Sequence, residues 1–263
     1  AAGALRWSHH TLAYFNPLLG GAPVGANTFS AGWGEGLEQA AAWLNEQPDI
    51  TGVLVASTNV PTLQPYLRQG AQSVTPDGAM PAQAGYVVIY LADTQGQPPF
   101  PPFDKYYLEH KPLYTVRLHG VEYAWIYQVP PEVEQPLPAQ FGETIQARGF
   151  ARVAPAAAGQ PLRYKLFWQA GAAPGANVML FAHLIGGDGQ TYARADLPIA
   201  SGGWQPGRYY TTELAVPLPA ELPSGCYTLA TGLYNPAGGE RLPLSAGQAA
   251  DPALAWPNAL ALD

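Results

Sequence analysis

From Phe141 onward, clusters of glycine, proline, serine and asparagine interrupt the chain at short and nearly even intervals. They fall at residues 172–177, 186–189, 201–203, 223–225 and 235–239. Glycine gives up too much backbone freedom inside a helix, and proline lacks the amide donor and clashes with the preceding turn. Helices of ordinary length do not fit between such breaks. The intervening segments alternate instead: Ile145, Ala147 and Gly149; Leu162, Tyr164, Leu166 and Trp168; Val178, Leu180, Ala182 and Leu184. Side chains two apart share one face of a strand. Further strands fit residues 191–196, 209–216, 226–234 and 241–244. About seven short strands with turns at this spacing predict an all-β sandwich over residues 141–263, immunoglobulin-like or carbohydrate-binding-like.

The residues up to about 130 follow another rule. Leu37, Ala40, Ala41 and Leu44 stand at i, i+3, i+4 and i+7, which predicts one apolar stripe on a helix from Leu37 to Asn45. Glu35 and Glu38 fall at its start, where carboxylates complement the helix dipole. A short strand fits residues 52–57, and a second helix fits 61–68, with Pro61 near its first position and Gly70 beyond its end. Residues 86–91 form an unbroken apolar run of the kind covered on both faces. Residues 114–129 predict a hairpin with His119-Gly120 at its tip. Helix, strand, helix, strand and hairpin make a small layered α/β domain over residues 1–130. Between the two halves, residues 131–140 are proline-rich and read as a semi-rigid linker.

Composition narrows the function classes. Twenty-nine Gly and 28 Pro would suit a disordered chain, but seven Trp and fifteen Tyr supply large apolar groups that disordered chains lack. The formal charge of −7 comes without any basic stripe, which excludes a nucleic-acid partner. A single cysteine, Cys226, allows neither an internal disulfide nor a cysteine-based zinc site. No apolar run reaches the roughly 18–20 residues needed to cross a bilayer. The chain opens on Ala1 without a basic start and apolar block, as expected of a trimmed or processed form.

Three segments stand out together: Tyr14-Phe15-Asn16-Pro17-Leu18-Leu19-Gly20-Gly21, Gly32-Trp33-Gly34-Glu35-Gly36-Leu37-Glu38-Gln39-Ala40-Ala41 and Tyr123-Ala124-Trp125-Ile126-Tyr127. In this order they resemble the soluble tail of bacterial membrane glycosyltransferases like the protein O-mannosyltransferases, which take sugar from a polyprenyl-phosphate carrier. The second half, through Leu166-Phe167-Trp168-Gln169, Trp204-Gln205-Pro206-Gly207 and Gly225-Cys226-Tyr227-Thr228-Leu229, is similar to a sandwich module appended to such proteins. That family's catalytic acids lie on loops between membrane helices, so the resemblance carries no catalytic residue over. It implies a non-catalytic, extracytoplasmic accessory region, tethered to the membrane through its parent and positioning acceptor or glycan. A free-standing carbohydrate-binding module and a structural spacer are the alternatives. The implied partners are a glycan or acceptor protein and the parent's membrane domain, with no cofactor.

Two places carry candidate binding residues. Trp33, Gly34, Glu35 and Gly36 precede a helix and form either a tight entry turn or a binding edge for a glycan or the parent. The loop lacks the Lys-Ser/Thr of a phosphate-binding loop and the spacing of a dinucleotide fingerprint. Trp204, Tyr209 and Tyr210 surround a Gly/Pro-rich turn and offer aromatic faces to sugar C–H groups, or else pack at the core or edge. Glu35 and Glu38 as a glycosidase pair, His9-His10 as metal ligands and Asp188 as a calcium-loop residue are each weaker than a dipole complement, a chain end and a hairpin turn. Asp196 and Glu213 could join a calcium site in the sandwich. No catalytic residue and no metal site is assigned.

Overall fold

The computed structural model describes residue 18, residues 20–153 and 159–245, and the backbone of Leu254–Leu262. His9-His10 and Tyr14-Phe15-Asn16-Pro17 lie outside the described residues. The chain is rich in β-structure, with three sheets, and divides into two compact units, Ala1–Pro130 and Pro131–Asp263.

In the first unit, helices α1 (Gly21–Thr28) and α2 (Leu37–Asn45) precede strand β1 (Leu54–Ala56). Helix α3 (Val60–Leu63) runs on into a 3-10 turn at Gln64–Tyr66 and is followed by β2 (Gln72–Val74) and β3 (Ala84–Tyr90). Helices α4 (Leu91–Thr94) and α5 (Phe103–Glu109) lead to the hairpin of β4 (Tyr114–Leu118) and β5 (Val121–Gln128). The sheet order is β2-β1-β3-β5-β4; β1 lies parallel to β2 and β3, and β5 runs antiparallel to β3 and β4.

The local chemistry accounts for these elements. All four residues of the predicted α2 stripe, Leu37, Ala40, Ala41 and Leu44, are fully buried. Removing a leucine side chain from water stabilises by about 1.5–3 kcal/mol, so this stripe alone fastens the helix to the sheet. Trp43 adds a stacked contact with Tyr114 at 5.4 Å and an edge contact with Tyr86 at 6.3 Å. At the hairpin tip His119 and Gly120 have φ of 49° and 86°, the left-handed pair that a two-residue turn requires between twisted strands. Four elements have no expectation in the sequence pattern: α1, α4, α5 and β2. Each is short and buries few side chains; α5 buries only Phe103. Glu35 lies outside α2, whose first turn contains only Glu38.

The second unit is a β-sandwich. One sheet has the order β10-β9-β12-β14, from β9 (Val178–Gly186), β10 (Thr191–Ile199), β12 (Gly225–Tyr234) and β14 (Leu254–Leu262). The other has the order β11-β8-β7-β6-β13, from β6 (Gln135–Phe141), β7 (Ile145–Arg152), β8 (Leu162–Ala170), β11 (Tyr209–Val216) and β13 (Leu244–Ser245). All pairings are antiparallel. Leu162, Tyr164, Leu166 and Trp168 from one sheet share a core with Val178, Leu180, Ala182 and Leu184 from the other. Trp168 also donates its indole N–H to Thr212 Oγ1 at 3.2 Å. Cys226 is exposed near the start of β12. Among the described residues no helix is long and apolar enough to cross a membrane.

The linker expected over residues 131–140 needs correction. From Gln135 this segment is strand β6, paired with β7 and β13. Prolines are tolerated in a strand where the ladder is already broken, and the β6–β7 register shifts between Pro136 and Ala139. Gly149 makes that irregularity feasible. Its φ is 145°, and a Cβ there would stand 2.2 Å from the Gln135 carbonyl oxygen. Gly149→Ala is expected to destabilise the sandwich by about 3 kcal/mol, because backbone rather than a flexible side chain must move. Urea denaturation followed by tryptophan fluorescence will measure it, and an unchanged midpoint would contradict this role.

Candidate functional site

The segment Gly32-Trp33-Gly34-Glu35-Gly36 connects α1 to α2, and its three glycines are required for distinct reasons. All have positive φ, 97°, 112° and 84° in order. A Cβ on Gly32 would sit 2.8 Å from Tyr90 Cε1, and one on Gly36 would sit 2.9 Å from Val116 Cγ1. The loop therefore lies with bare backbone against the end of β3 and against β4, where a side chain would be excluded.

Polar groups then fix it. The Tyr90 hydroxyl accepts the Gly34 N–H at 2.9 Å and faces both the carbonyl oxygen and Oε2 of Glu35 at 3.1 Å. Glu35 Oε2 also accepts the Trp33 N–H at 2.7 Å. The Glu35 carboxylate is thus turned inward as a brace. Its Oε1 and the nearby Tyr123 hydroxyl are both enclosed without a hydrogen-bond partner. Burial raises the Tyr90 hydroxyl far above the ordinary tyrosine range; the Gly34 N–H opposes that rise and the Glu35 charge adds to it. Burial, with the Glu35 charge second, pushes Tyr123 up to about 12.

With its backbone held down, the loop presents Trp33 outward, 72% exposed. Trp33 forms one wall of an open cleft of about 810 Å³, continued by Glu38 and Gln39 on α2. The opposite wall is Pro61, Thr62, Pro65 and Tyr66, from α3 and its 3-10 extension, with Tyr66 46% exposed. The cleft lies beyond the carboxyl ends of β1 and β3. From β1 the chain passes to β2 on one side, and from β3 it passes to the outer strand β4 on the other. In open α/β sheets such a reversal leaves a crevice in which ligands collect. Among the described residues, no lysine or arginine lines it. Two aromatic rings, the Glu38 carboxylate, an amide and a hydroxyl suit a neutral ligand with many hydroxyl groups and disfavour phosphate.

The structure brings Trp33, Gly34, Glu35 and Gly36 together as one loop, with Trp33 alone turned to solvent. Tyr66 was not legible as their partner, because its approach depends on the α3 turn after β1. The only local signal was the proline pair flanking residues 62–64.

The aromatic set of the sandwich is corrected. Trp204 is 8% exposed, belongs to the core and lies parallel to Tyr210 with ring centroids 4.4 Å apart. The Tyr210 hydroxyl accepts the Gln205 N–H at 2.7 Å, and Arg208 lies over its ring at 5.8 Å. Arg148 lies over the Tyr209 ring at 5.9 Å. These faces serve the protein's own packing. Asp188 closes its turn by accepting the Gln190 N–H and the Tyr192 hydroxyl, at 2.9 and 2.7 Å. Asp196 and Glu213 stand on different sheets, on β10 and β11. Among the described residues no group of three His, Cys, Asp or Glu could hold a metal ion.

No family model matches the sequence, and no curated protein does. Among solved structures, the chain is similar to a β-glucuronidase from glycoside hydrolase family 2, at 12% identity and a TM-score of 0.30, covering 37% of this chain and 10% of that one. A glycosyl hydrolase family 2 member from Bacteroides cellulosilyticus matches at 11% identity and a TM-score of 0.29, covering 52% and 16%. The C-terminal domain of Wzt matches at 9% identity and a TM-score of 0.29, covering 49% and 77%. The chain thus spans only 10–22% of the length of the hydrolases it matches. The resemblance to protein O-mannosyltransferases is therefore corrected: no family model and no curated protein supports a glycosyltransferase, and the solved structures that match are chiefly glycoside hydrolase domains.

Tyr123 offers a direct check on the buried network. Its hydroxyl lacks a partner, so Tyr123→Phe should be neutral or stabilising by up to about 1 kcal/mol at pH 7. A raised folded-state pKa contributes stability that is whole below the unfolded value of about 10 and is lost as pH rises from there through 12. Chemical denaturation between pH 9 and 12 should therefore show a shallower decline in the variant (about these limits). Identical slopes would refute the assignment.

Proposed function

We propose that this chain is a non-catalytic carbohydrate-recognition protein that takes a neutral glycan in the Trp33–Tyr66 cleft. The observation that carries this is an indole 72% exposed on a braced loop, lining one open crevice together with a second exposed ring, Tyr66. Sugar C–H groups stack on such rings, and flanking Glu38, Gln39 and Thr62 can exchange hydrogen bonds with hydroxyls. A loop fixed before binding loses little freedom on binding, which favours affinity.

The same geometry supports a reading without catalysis. Glycoside hydrolysis uses two carboxylates flanking the scissile bond, whereas Glu35 is committed to Trp33 and Tyr90 and only Glu38 remains on the wall. In this reading the helix-bearing unit is a small layered α/β domain that recognises the ligand. The sandwich belongs with the immunoglobulin-like or carbohydrate-binding-like modules and serves as its support. We place the protein outside the cytoplasm, where polymeric glycans are met.

A glycan array followed by calorimetry on the bound sugars tests this. Trp33→Ala should weaken binding about tenfold, near 1.4 kcal/mol, with the melting temperature unchanged. Trp204→Ala should lower the melting temperature and leave the ranking of bound sugars as it was. Silence across the array, or wild-type affinity in Trp33→Ala, would rule the cleft out and leave a structural spacer.

A further inference from the structure

A second groove, of about 680 Å³, opens beside the first. It is walled by the end of α1 and the following residues, Asn27 to Ser30, by the exit of β3 from Leu91 to Gly96, and by Glu122 and Trp125 of the hairpin. Both grooves share one edge of the sheet, because α3 follows β1, α4 follows β3, and each groove begins where those strands end.

What separates them is the chain from Ser30, which lines one groove, to Trp33, which lines the other. Three Cα steps span at most about 11 Å. Of the two residues between, Ala31 is 5% exposed and Gly32 has no side chain. Neither of these two residues therefore raises a side chain between the grooves. The divide is also firmly held. The Gln95 amide accepts the Ala31 N–H at 3.0 Å and donates to the carbonyls of Ala26 and Phe29 at 2.7 and 3.0 Å. Tyr90 pins Gly34 just beyond it. On either side of the low point an aromatic ring stands in solvent, Phe29 at 63% exposed and Trp33 at 72%.

We infer that the two grooves act as one trough that takes a linear oligosaccharide lengthwise, with Trp33 and Phe29 stacking on different sugar units. This rests on the carbohydrate reading above and adds the length and direction of the ligand. A ligand confined to the Trp33–Tyr66 cleft would gain nothing from added units, whereas one that crosses the divide gains contacts with each unit until the trough is filled. The lining of the second groove, with Asn27, Thr94 and Glu122 among its polar groups and, among the described residues, no lysine or arginine, again suits a neutral chain.

Calorimetric titration with cello-, malto- and manno-oligosaccharides, each from monomer to hexamer, tests the trough. In the series that binds, affinity should rise at least tenfold between dimer and hexamer. Ser30 is exposed, so Ser30→Trp can raise a wall at the divide without touching the core. That variant should abolish the length-dependent gain, and Phe29→Ala should remove part of the same gain. Trp33→Ala should weaken every length. Circular dichroism and melting temperature confirm that each variant is folded. Equal affinity at all lengths, with binding still lost in Trp33→Ala, would overturn the trough while leaving the cleft intact. Silence from all three series would overturn both.

Discussion

A tyrosine hydroxyl at the end of a buried strand holds the first unit's recognition surface in place. Tyr90 closes β3, and its ring occupies the space that any side chain on Gly32 would need. Its oxygen meets a backbone amide on one side and the Glu35 groups on the other. Loop, strand end and helix start therefore converge on one polar atom in an apolar setting, where an unmet hydrogen bond is expensive. The loop's shape, the outward turn of Trp33 and the inward turn of Glu35 all follow from that contact. Charge is drawn in and aromatic surface is pushed out, the reverse of what residue type alone would suggest.

The two units use aromatic residues in opposite ways. In the sandwich, Trp204 against Tyr210 and Trp168 against Phe141 are ring pairs inside the fold. Arginines lie over Tyr209 and Tyr210 and close their faces. In the first unit, Trp43, Tyr86 and Tyr114 pack together around α2, yet Trp33 and Tyr66 are left in solvent. Leaving two rings exposed on neighbouring elements forgoes the hydrophobic gain that burial would bring. A sandwich whose rings are satisfied internally has less left over for ligands.

Periodicity was readable wherever a segment buried a continuous stripe. The Leu37–Asn45 helix, the His119-Gly120 hairpin and the alternating strands from Ile145 onward appear in the sequence because burial imposes spacing. Composition was less dependable. The proline-rich segment looked like a linker, yet a register shift opposite Gly149 absorbs its prolines within β6. Trp204 looked exposed because its neighbours are glycine and proline, but ring burial depends on Tyr210 and Arg208 across the turn. The glycine loop was visible as a motif, while its facing wall was not. Nothing local tells Tyr66 that it will meet Trp33, since that pairing is set by where α3 lies after β1.

The asymmetry of the cleft has a consequence for how such a protein can diversify. The Trp33 wall is pinned through its backbone to Tyr90 and Glu35, so substitutions at Gly32, Glu35 or Gly36 disturb β3 and α2 together. The Tyr66 wall is tied chiefly through main chain: Asn45 donates to the Tyr66 carbonyl oxygen, and the Arg68 N–H donates back to Asn45. Side chains on that rim can change while the scaffold stays put. Preference among ligands can therefore drift along one bank of the cleft during evolution, and a library confined to residues 61, 62, 65 and 66 would explore it with the opposite bank as a fixed reference.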